Sequence, residues 1–151
     1  MRIELINRNT GEFTLDNDFR ISHTTTIDEL MAHFGKDRLK ESEYMKDRYI
    51  SSQVKLDGLY FVFSFCFEKE VLKKINFEIE EESKERNPWG NNRDFETNWI
   101  AQQMEDDSGY VWDTKIAGRQ YYLTYPWGGI GVFYDFKNGT FNSSLNYTLS
   151  T

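Results

Sequence analysis

The sequence predicts an α+β fold: a curved antiparallel sheet that carries two helices. Alternating apolar and polar residues, the pattern of half-buried strands, run through the last third of the chain and recur over residues 59–79. Two other segments, beginning near Thr26 and Asp94, carry apolar residues three and four positions apart, as one face of a helix does. The order helix, then three strands, therefore occurs twice along the chain.

The length of 151 residues fits a single domain, 1–151, and is sufficient for a hydrophobic core. Aromatic residues make up 17% of the chain, which favours a β-rich interior of large rings. The net charge of −7 argues against nucleic acid and anionic membranes as partners, because both are bound through clustered Lys and Arg. It favours a basic protein partner.

The segment from Gln120 to Leu149 is predicted to form a three-stranded antiparallel meander. Its first turn falls at Pro126-Trp127-Gly128-Gly129 and its second at Lys137-Asn138-Gly139. Asn-Gly between two alternating runs is a strong hairpin signal, because both residues tolerate positive φ.

The first helix is predicted from its boundary signals. Thr26 and Glu29 match a capping box, in which each side chain binds the other residue's amide. Gly35 supplies a stop. The apolar face between these signals consists of Ile27, Leu30, Met31 and Phe34.

Three strands are expected after this helix, at Tyr49–Leu56, Leu59–Phe67 and Val71–Ile79, and Asp37–Lys46 is expected to be a polar connection or a frayed helical turn. The middle strand is apolar on both faces, which places it in the interior of the sheet.

A charged loop over Glu80–Asn92 and a second helix over Asp94–Met104 are predicted next. The two half-units, Thr26–Ile79 and Asp94–Leu149, are then expected to pair edge to edge as an internal repeat, with both helices on one face of the sheet.

Catalytic and cofactor motifs are not recognisable in the sequence. His23 and His33 are interpreted as solvated surface residues, and the single cysteine, Cys66, as a small apolar strand residue. The acidic clusters lack the spacing of a calcium loop, and Trp127–Gly131 opens a strand rather than a phosphate-binding helix. We therefore expect no enzyme activity, no metal and no cofactor.

A protein-binding surface is the remaining hypothesis. Loop tryptophans are good interface anchors because they are large and amphipathic, and neighbouring acids would attract a basic partner. The predicted partner-binding residues are Glu80, Glu81, Glu82, Trp89, Asp106, Asp107, Trp112 and Trp127.

Two resemblances accompany this hypothesis. The twice-repeated helix-and-meander order resembles the architecture of the beta-lactamase inhibitor protein, which implies a curved sheet that presents aromatic and acidic residues to an enzyme. The acidic, aromatic-rich chain, with Trp127-Gly128-Gly129-Ile130 and Tyr134-Asp135, resembles the immunity proteins of bacterial contact-dependent and polymorphic toxin systems. That resemblance implies a cytoplasmic inhibitor that covers the active site or an adjoining surface of a toxin, often a basic nuclease.

Two alternatives stay open at this point. One is an enzyme or small-molecule-binding domain with a pocket lined by Tyr121, Tyr125, Tyr134 and Phe136, which a deep apolar cavity with a perturbed carboxylate would favour. The other is a structural or adaptor domain without a tight partner.

Overall fold

The structure, a computed structural model, describes residues 4–81, 92–106, 121–135 and 140–147. These residues contain two α-helices, α1 (Ile27–Phe34) and α2 (Asn92–Gln103). Neither described helix has the length and hydropathy needed to cross a membrane. The strands of the described ranges are β1 (Phe13–Thr14), β2 (Arg20–Ile21), β3 (Leu39–Glu41), β4 (Arg48–Ser51), β5 (Val54–Leu56), β6 (Leu59–Glu68), β7 (Val71–Glu81), β8 (Tyr122–Tyr125), β9 (Gly128–Asp135) and β10 (Thr140–Tyr147).

Eight of these strands form one antiparallel sheet in the order β3-β4-β6-β7-β10-β9-β8, with β5 also paired to β6. The predicted meander is confirmed as β8, β9 and β10, and β6 lies in the interior of the sheet as expected. The antiparallel strands of the first half of the chain form a second meander. It joins the predicted one through β7 and β10, with Phe77 opposite Ser143 and Lys74 opposite Asn146. The α+β class and the antiparallel sheet are thus confirmed, whereas the internal repeat remains a prediction.

One face of this sheet carries the hydrophobic core. Phe61, Phe63 and Phe65 of β6 are fully buried, and neighbouring rings in this row lie 5.7 Å apart. Phe13 of β1 contacts the ring of Phe63 edge to face at 5.3 Å. From the helices, Phe34 of α1 contacts Phe65 and Trp99 of α2 contacts Phe61. Burying an aromatic side chain contributes roughly 1.5–3 kcal/mol, so this row is the main source of apolar stabilisation.

Helix α1 has the predicted boundaries. Thr26 Oγ1 accepts a hydrogen bond from the Glu29 amide at 3.1 Å, and Glu29 Oε1 accepts one from the Thr26 amide at 3.1 Å. The capping box therefore satisfies two amides that the first turn leaves without partners. Gly35 follows the last helical residue at a φ of 86°, where residues with a side chain are strained.

Three predictions on the first half of the sheet were wrong in detail. Residues 39–41 form β3 instead of a polar connection, because Leu39 is buried and the strand pairs with β4. The single strand expected over Tyr49–Leu56 is divided at Ser52 and Gln53 into β4 and β5. Strand β7 continues past its expected end, since Glu81 pairs with Leu59. In the first and third cases, pairing with the neighbouring strand decides the outcome.

Polar side chains fix α2 to the rest of the core. Glu96 is fully buried, and its Oε1 accepts a hydrogen bond from the amide of Ile79 at 2.9 Å. Gln103 Oε1 accepts hydrogen bonds from the amides of Leu5 and Ile6 at 2.8 and 3.3 Å. These side chains accept hydrogen bonds from buried amides, which would cost free energy if they were left without partners. This explains why polar residues interrupt the apolar face of this helix in the sequence.

The N-terminal hairpin, which consists of residues 6–13, packs over the turn between β8 and β9. The indole N–H of Trp127 donates to the carbonyl of Arg8 at 2.7 Å, and the hydroxyl of Tyr147 donates to the carbonyl of Gly11 at 2.7 Å. Gly11 itself has a φ of 78°, and a Cβ atom added there would lie 2.5 Å from Cε3 of Trp127. Gly11 is therefore required both by its backbone conformation and by the ring that packs on it.

Two glycine substitutions separate these requirements. Gly58 has a similar φ of 76° but nothing within 4 Å of an added Cβ. We expect Gly58→Ala to cost about 1 kcal/mol of unfolding free energy from backbone strain alone. Gly11→Ala should cost about 1–3 kcal/mol more, because the methyl group displaces the Trp127 ring. Urea unfolding of both variants measures the difference, and equal losses would contradict this packing.

The Tyr147 hydroxyl should make stability sensitive to alkaline pH. Burial, with a smaller contribution from the charge of Glu12, raises its pKa far above the value of 10 for an unfolded tyrosine. The neutral Tyr147 hydroxyl therefore contributes fully to the stability of the folded state below about pH 10. At higher pH the tyrosine of the unfolded state ionises first, and the free energy of unfolding falls by about 1.4 kcal/mol per pH unit.

Tyr147→Phe should cost about 1 kcal/mol at pH 8 and should flatten the alkaline loss of stability. Urea unfolding between pH 8 and 11.5 checks both effects. Tyr44→Phe is the control, because the Tyr44 side chain is 93% exposed. Parallel pH profiles for wild type and Tyr147→Phe would show that the Tyr147 hydroxyl does not cause the loss.

Candidate functional site

Four of the predicted partner-binding residues, Glu80, Glu81, Asp106 and Trp127, lie in the described part of the chain. Glu80 and Glu81 are the last residues of β7 and pair with Tyr60 and Leu59 of β6. They therefore belong to a strand and not to the loop predicted to contain them. Asp106 follows the C-terminal end of α2. Glu82, Trp89, Asp107 and Trp112 lie outside the described residues.

Asp106 is partly tied into the structure. Its Oδ2 accepts a hydrogen bond from the hydroxyl of Tyr121 at 2.6 Å. The next acid, Glu105, forms an ion pair with Arg8 at 3.1 Å. Burial, followed by the negative charge of Asp106, raises the pKa of Tyr125 above its usual value. Glu105 and Asp106 thus each have a local partner that holds the carboxylate in place.

Trp127 takes a different role from the one predicted. Only 4% of its surface is exposed, its indole N–H donates to Arg8, and its ring stacks on Tyr125 at 5.3 Å with the planes nearly parallel. These are the contacts of a core residue, and they leave the ring almost no surface to offer a partner. The sequence could not show this, because the N-terminal hairpin that covers the ring is more than 100 residues away.

Two of the four residues predicted to line an aromatic pocket make contacts within the protein instead. Tyr121 and Tyr125 point to the core face, where Tyr121 is bound to Asp106 and Tyr125 is stacked on Trp127. Nothing is described of the Tyr134 side chain, and Phe136 lies outside the described residues. A depression among the described residues lies on the opposite face of the sheet.

This depression, which we call the polar groove, has a volume of about 580 Å³ and is open to solvent on one side. It lies over the junction of β7 and β10, and its floor is formed by side chains of the face that points away from the core. Its lining residues are Arg48, Ile50, Val62, Phe63, Ser64, Lys74, Asn76, Phe77, Glu78, Phe133, Asn142, Ser144 and Asn146.

Strand pairing places the groove residues in rows, because directly opposed residues of an antiparallel sheet point to the same face. One row crosses β4, β6, β7 and β10 through Arg48, Cys66, Lys74 and Asn146. The next row crosses the same strands through Ile50, Ser64, Asn76 and Ser144. Polar side chains on neighbouring strands thus converge on one surface.

An aromatic margin borders the groove on the β9 side. Tyr122 contacts Phe133 at 5.8 Å, and its ring lies over Gly129 and Gly131, where an added Cβ would overlap it. The glycine-rich segment therefore permits close approach of the Tyr122 ring to the backbone of β9. Tyr122 and Ile50 are each 42% exposed, so apolar surface is available at both ends of the second row.

The groove was not among the predicted sites, although the sequence contains a signal for it. Lys74, Asn76 and Glu78 on one strand, and Asn142, Ser144 and Asn146 on another, alternate with core residues. Each set alone is typical of a solvated strand face. Only the pairing of β7 with β10 brings the two sets together.

The histidines do not form a recognisable catalytic centre with the described residues. His33 is not a solvated surface residue, because its Nε2 lies 2.8 Å from Asp16 Oδ1 and its ring stacks on Phe19 at 4.2 Å. His23 is tilted against the ring of Tyr147. In the described ranges, groups of three or more His, Cys, Asp or Glu side chains placed to hold a metal ion are not found.

Comparison with known proteins gives one informative similarity. Neither protein-family models nor curated proteins match this chain. Among solved structures, the fold is similar to that of a chain in the structure described as Rhs1-CT in complex with cognate immunity protein RhsI1. The TM-score is 0.55, the sequence identity is 17%, and the alignment covers 95% of this chain and 86% of that chain. The similarity concerns the fold, and it agrees with the resemblance to immunity proteins of polymorphic toxin systems.

Proposed function

We propose that this protein is a non-enzymatic immunity protein that neutralises a cognate bacterial toxin in the cytoplasm by forming a direct complex with it. The observation that carries the proposal is the fold similarity to a chain of the Rhs1-CT and RhsI1 complex, which extends over 95% of this chain. The protein named RhsI1 there is described as a cognate immunity protein. The resemblance in composition and charge supports the same function independently.

The proposed mechanism combines steric occlusion with charge complementarity. A net charge of −7 attracts a basic toxin, and attraction between opposite charges raises the rate of encounter. Glu80, Glu81, Glu82, Asp106 and Asp107 provide the attraction, and Trp89 and Trp112 serve as anchors. The two acidic clusters come before and after helix α2 in the chain, and we propose that both attract the partner.

The proposal further includes the arrangement of the sheet. Both helices cover one face, and the other face remains accessible to a partner. The contacts of Phe34 with Phe65 and of Trp99 with Phe61 support this, because Phe61 and Phe65 are on the same side of β6.

The first experiment uses the C-terminal domain of a secreted protein encoded next to this gene. Co-expression should protect cells from that domain, and the two proteins should co-elute as a stable complex in size-exclusion chromatography. A catalytically inactive version of the domain should bind equally well, because the proposed mechanism is binding and not turnover. Survival without a detectable complex would count against direct inhibition.

Charge reversal tests the role of the acids. Glu80→Lys, Glu81→Lys and Glu82→Lys together should lower the association rate constant about tenfold at low salt and have little effect at high salt. The matched control carries Glu43→Lys, Glu68→Lys and Glu70→Lys, which change the net charge equally at exposed positions elsewhere. Surface plasmon resonance at two ionic strengths measures both. An equal loss of association rate in both variants would show that the net charge, and not the position of these acids, accelerates association.

A further inference from the structure

The polar groove has an electrostatic character opposite to that of the whole protein. The chain carries 25 acidic and 18 basic residues, yet the groove is lined by two cations, Arg48 and Lys74, and one carboxylate, Glu78. A solvated face of a protein with net charge −7 is expected to show an excess of acids. The local excess of positive charge therefore requires an explanation beyond solubility.

Buried polar atoms in the groove point to an incoming ligand. Arg48 Nε and Ser64 Oγ are both buried and have no hydrogen-bond partner among the described residues. A buried polar group without a partner costs about 1–3 kcal/mol, so such groups are uncommon unless something outside the chain satisfies them. Both atoms belong to residues that line the groove.

The spacing of these residues suits a carboxylate. Arg48 and Lys74 are in the same row, separated by the one strand that contributes Cys66. Neighbouring strands lie about 4.8 Å apart, so the two Cα atoms are about 10 Å apart and their long side chains can reach a common point. A planar guanidinium binds a carboxylate through two parallel hydrogen bonds, and a lysine ammonium adds a second charge.

Resting on the proposed function, we propose that the polar groove is the docking site for an aspartate or glutamate side chain of the toxin. Arg48 and Lys74 bind its carboxylate. Asn76 and Ser144, beside Ser64 in the adjacent row, donate hydrogen bonds to the same segment of the toxin. Ile50 and Phe133 enclose the contact with apolar surface, which excludes water and strengthens the charged hydrogen bonds.

A basic toxin and an acidic contact are compatible. The net charge acts over about 8 Å at physiological salt and brings the partners together, whereas the groove acts only at contact. A partner with a positive surface can still present one carboxylate, and the two cations of the groove would attract it. The groove therefore sets the orientation of a complex whose formation the acidic clusters accelerate.

The isolated protein provides a test that does not depend on the toxin. In ¹⁵N-labelled protein, the acidic peptide acetyl-Gly-Glu-Gly-amide should shift the amide signals around Arg48, Ser64, Lys74 and Asn76 at millimolar concentration. The basic peptide acetyl-Gly-Lys-Gly-amide should not. Shifts of equal size with both peptides, or shifts confined to other regions, would overturn the groove as a carboxylate site.

Neutral substitutions refine this test. Arg48→Gln with Lys74→Gln should abolish the shifts, whereas the matched control Lys36→Gln with Lys46→Gln removes the same charge at exposed positions and should preserve them. If the double variant fails to fold, the wild-type titration still decides the question. Lys74→Gln alone then serves as the substitution, with an expected loss of at least threefold in peptide affinity.

The complex gives a second readout. Arg48→Gln with Lys74→Gln should raise the Kd for the toxin domain by about 30-fold, mainly through faster dissociation, because a charge in the partner loses its counter-charges. A complex that forms normally and whose Kd is unchanged by this double substitution would overturn the groove as a docking site and leave the proposed function intact. Failure of the wild type to bind any toxin domain would overturn the proposed function, while the peptide titration still reports on the groove.

Discussion

The pairing of β7 with β10 is the constraint on which the rest of this structure depends. Four residue pairs, from Phe77 and Ser143 to Lys74 and Asn146, connect a meander formed by the first half of the chain to one formed by the second. Without this connection each meander would expose an edge strand and half of a hydrophobic face. With it, the rings from β6 and the apolar residues of β9 and β10 become one core.

The same pairing creates the groove. Side chains alternate between the two faces of a strand, so the register that buries Ile75 and Leu145 also places Asn76 beside Ser144 on the opposite face. A shift by one residue would bury the polar row and expose the apolar one, at a cost far above the net stability of a domain. The position of the groove residues therefore follows from the burial of the core, and function can use a geometry that stability already enforces.

Local signals explain what the sequence could predict. The Thr26 and Glu29 capping box, the apolar spacing of α1, and the alternation in β6, β9 and β10 all act within a few residues, so they are visible in the sequence. The edge strand β3 was missed because three residues are too few to show a period. The burial of Trp127 and the polar role of Glu96 in α2 were not foreseen, because each depends on segments distant in the chain.

The groove illustrates why sites on sheets are harder to foresee than sites on loops or helix termini. A loop motif concentrates its residues in one short segment, whereas this surface takes between one and four residues from each of five strands. Only the strand order β4-β6-β7-β10 brings the polar residues of these strands together. The proposed mechanism then divides two roles within one molecule. Under this proposal, the net charge acts at a distance and is weakened by salt, while the cations of the groove act at short range. A protein built in this way can associate quickly through its net charge and still select its orientation through a contact of the opposite sign.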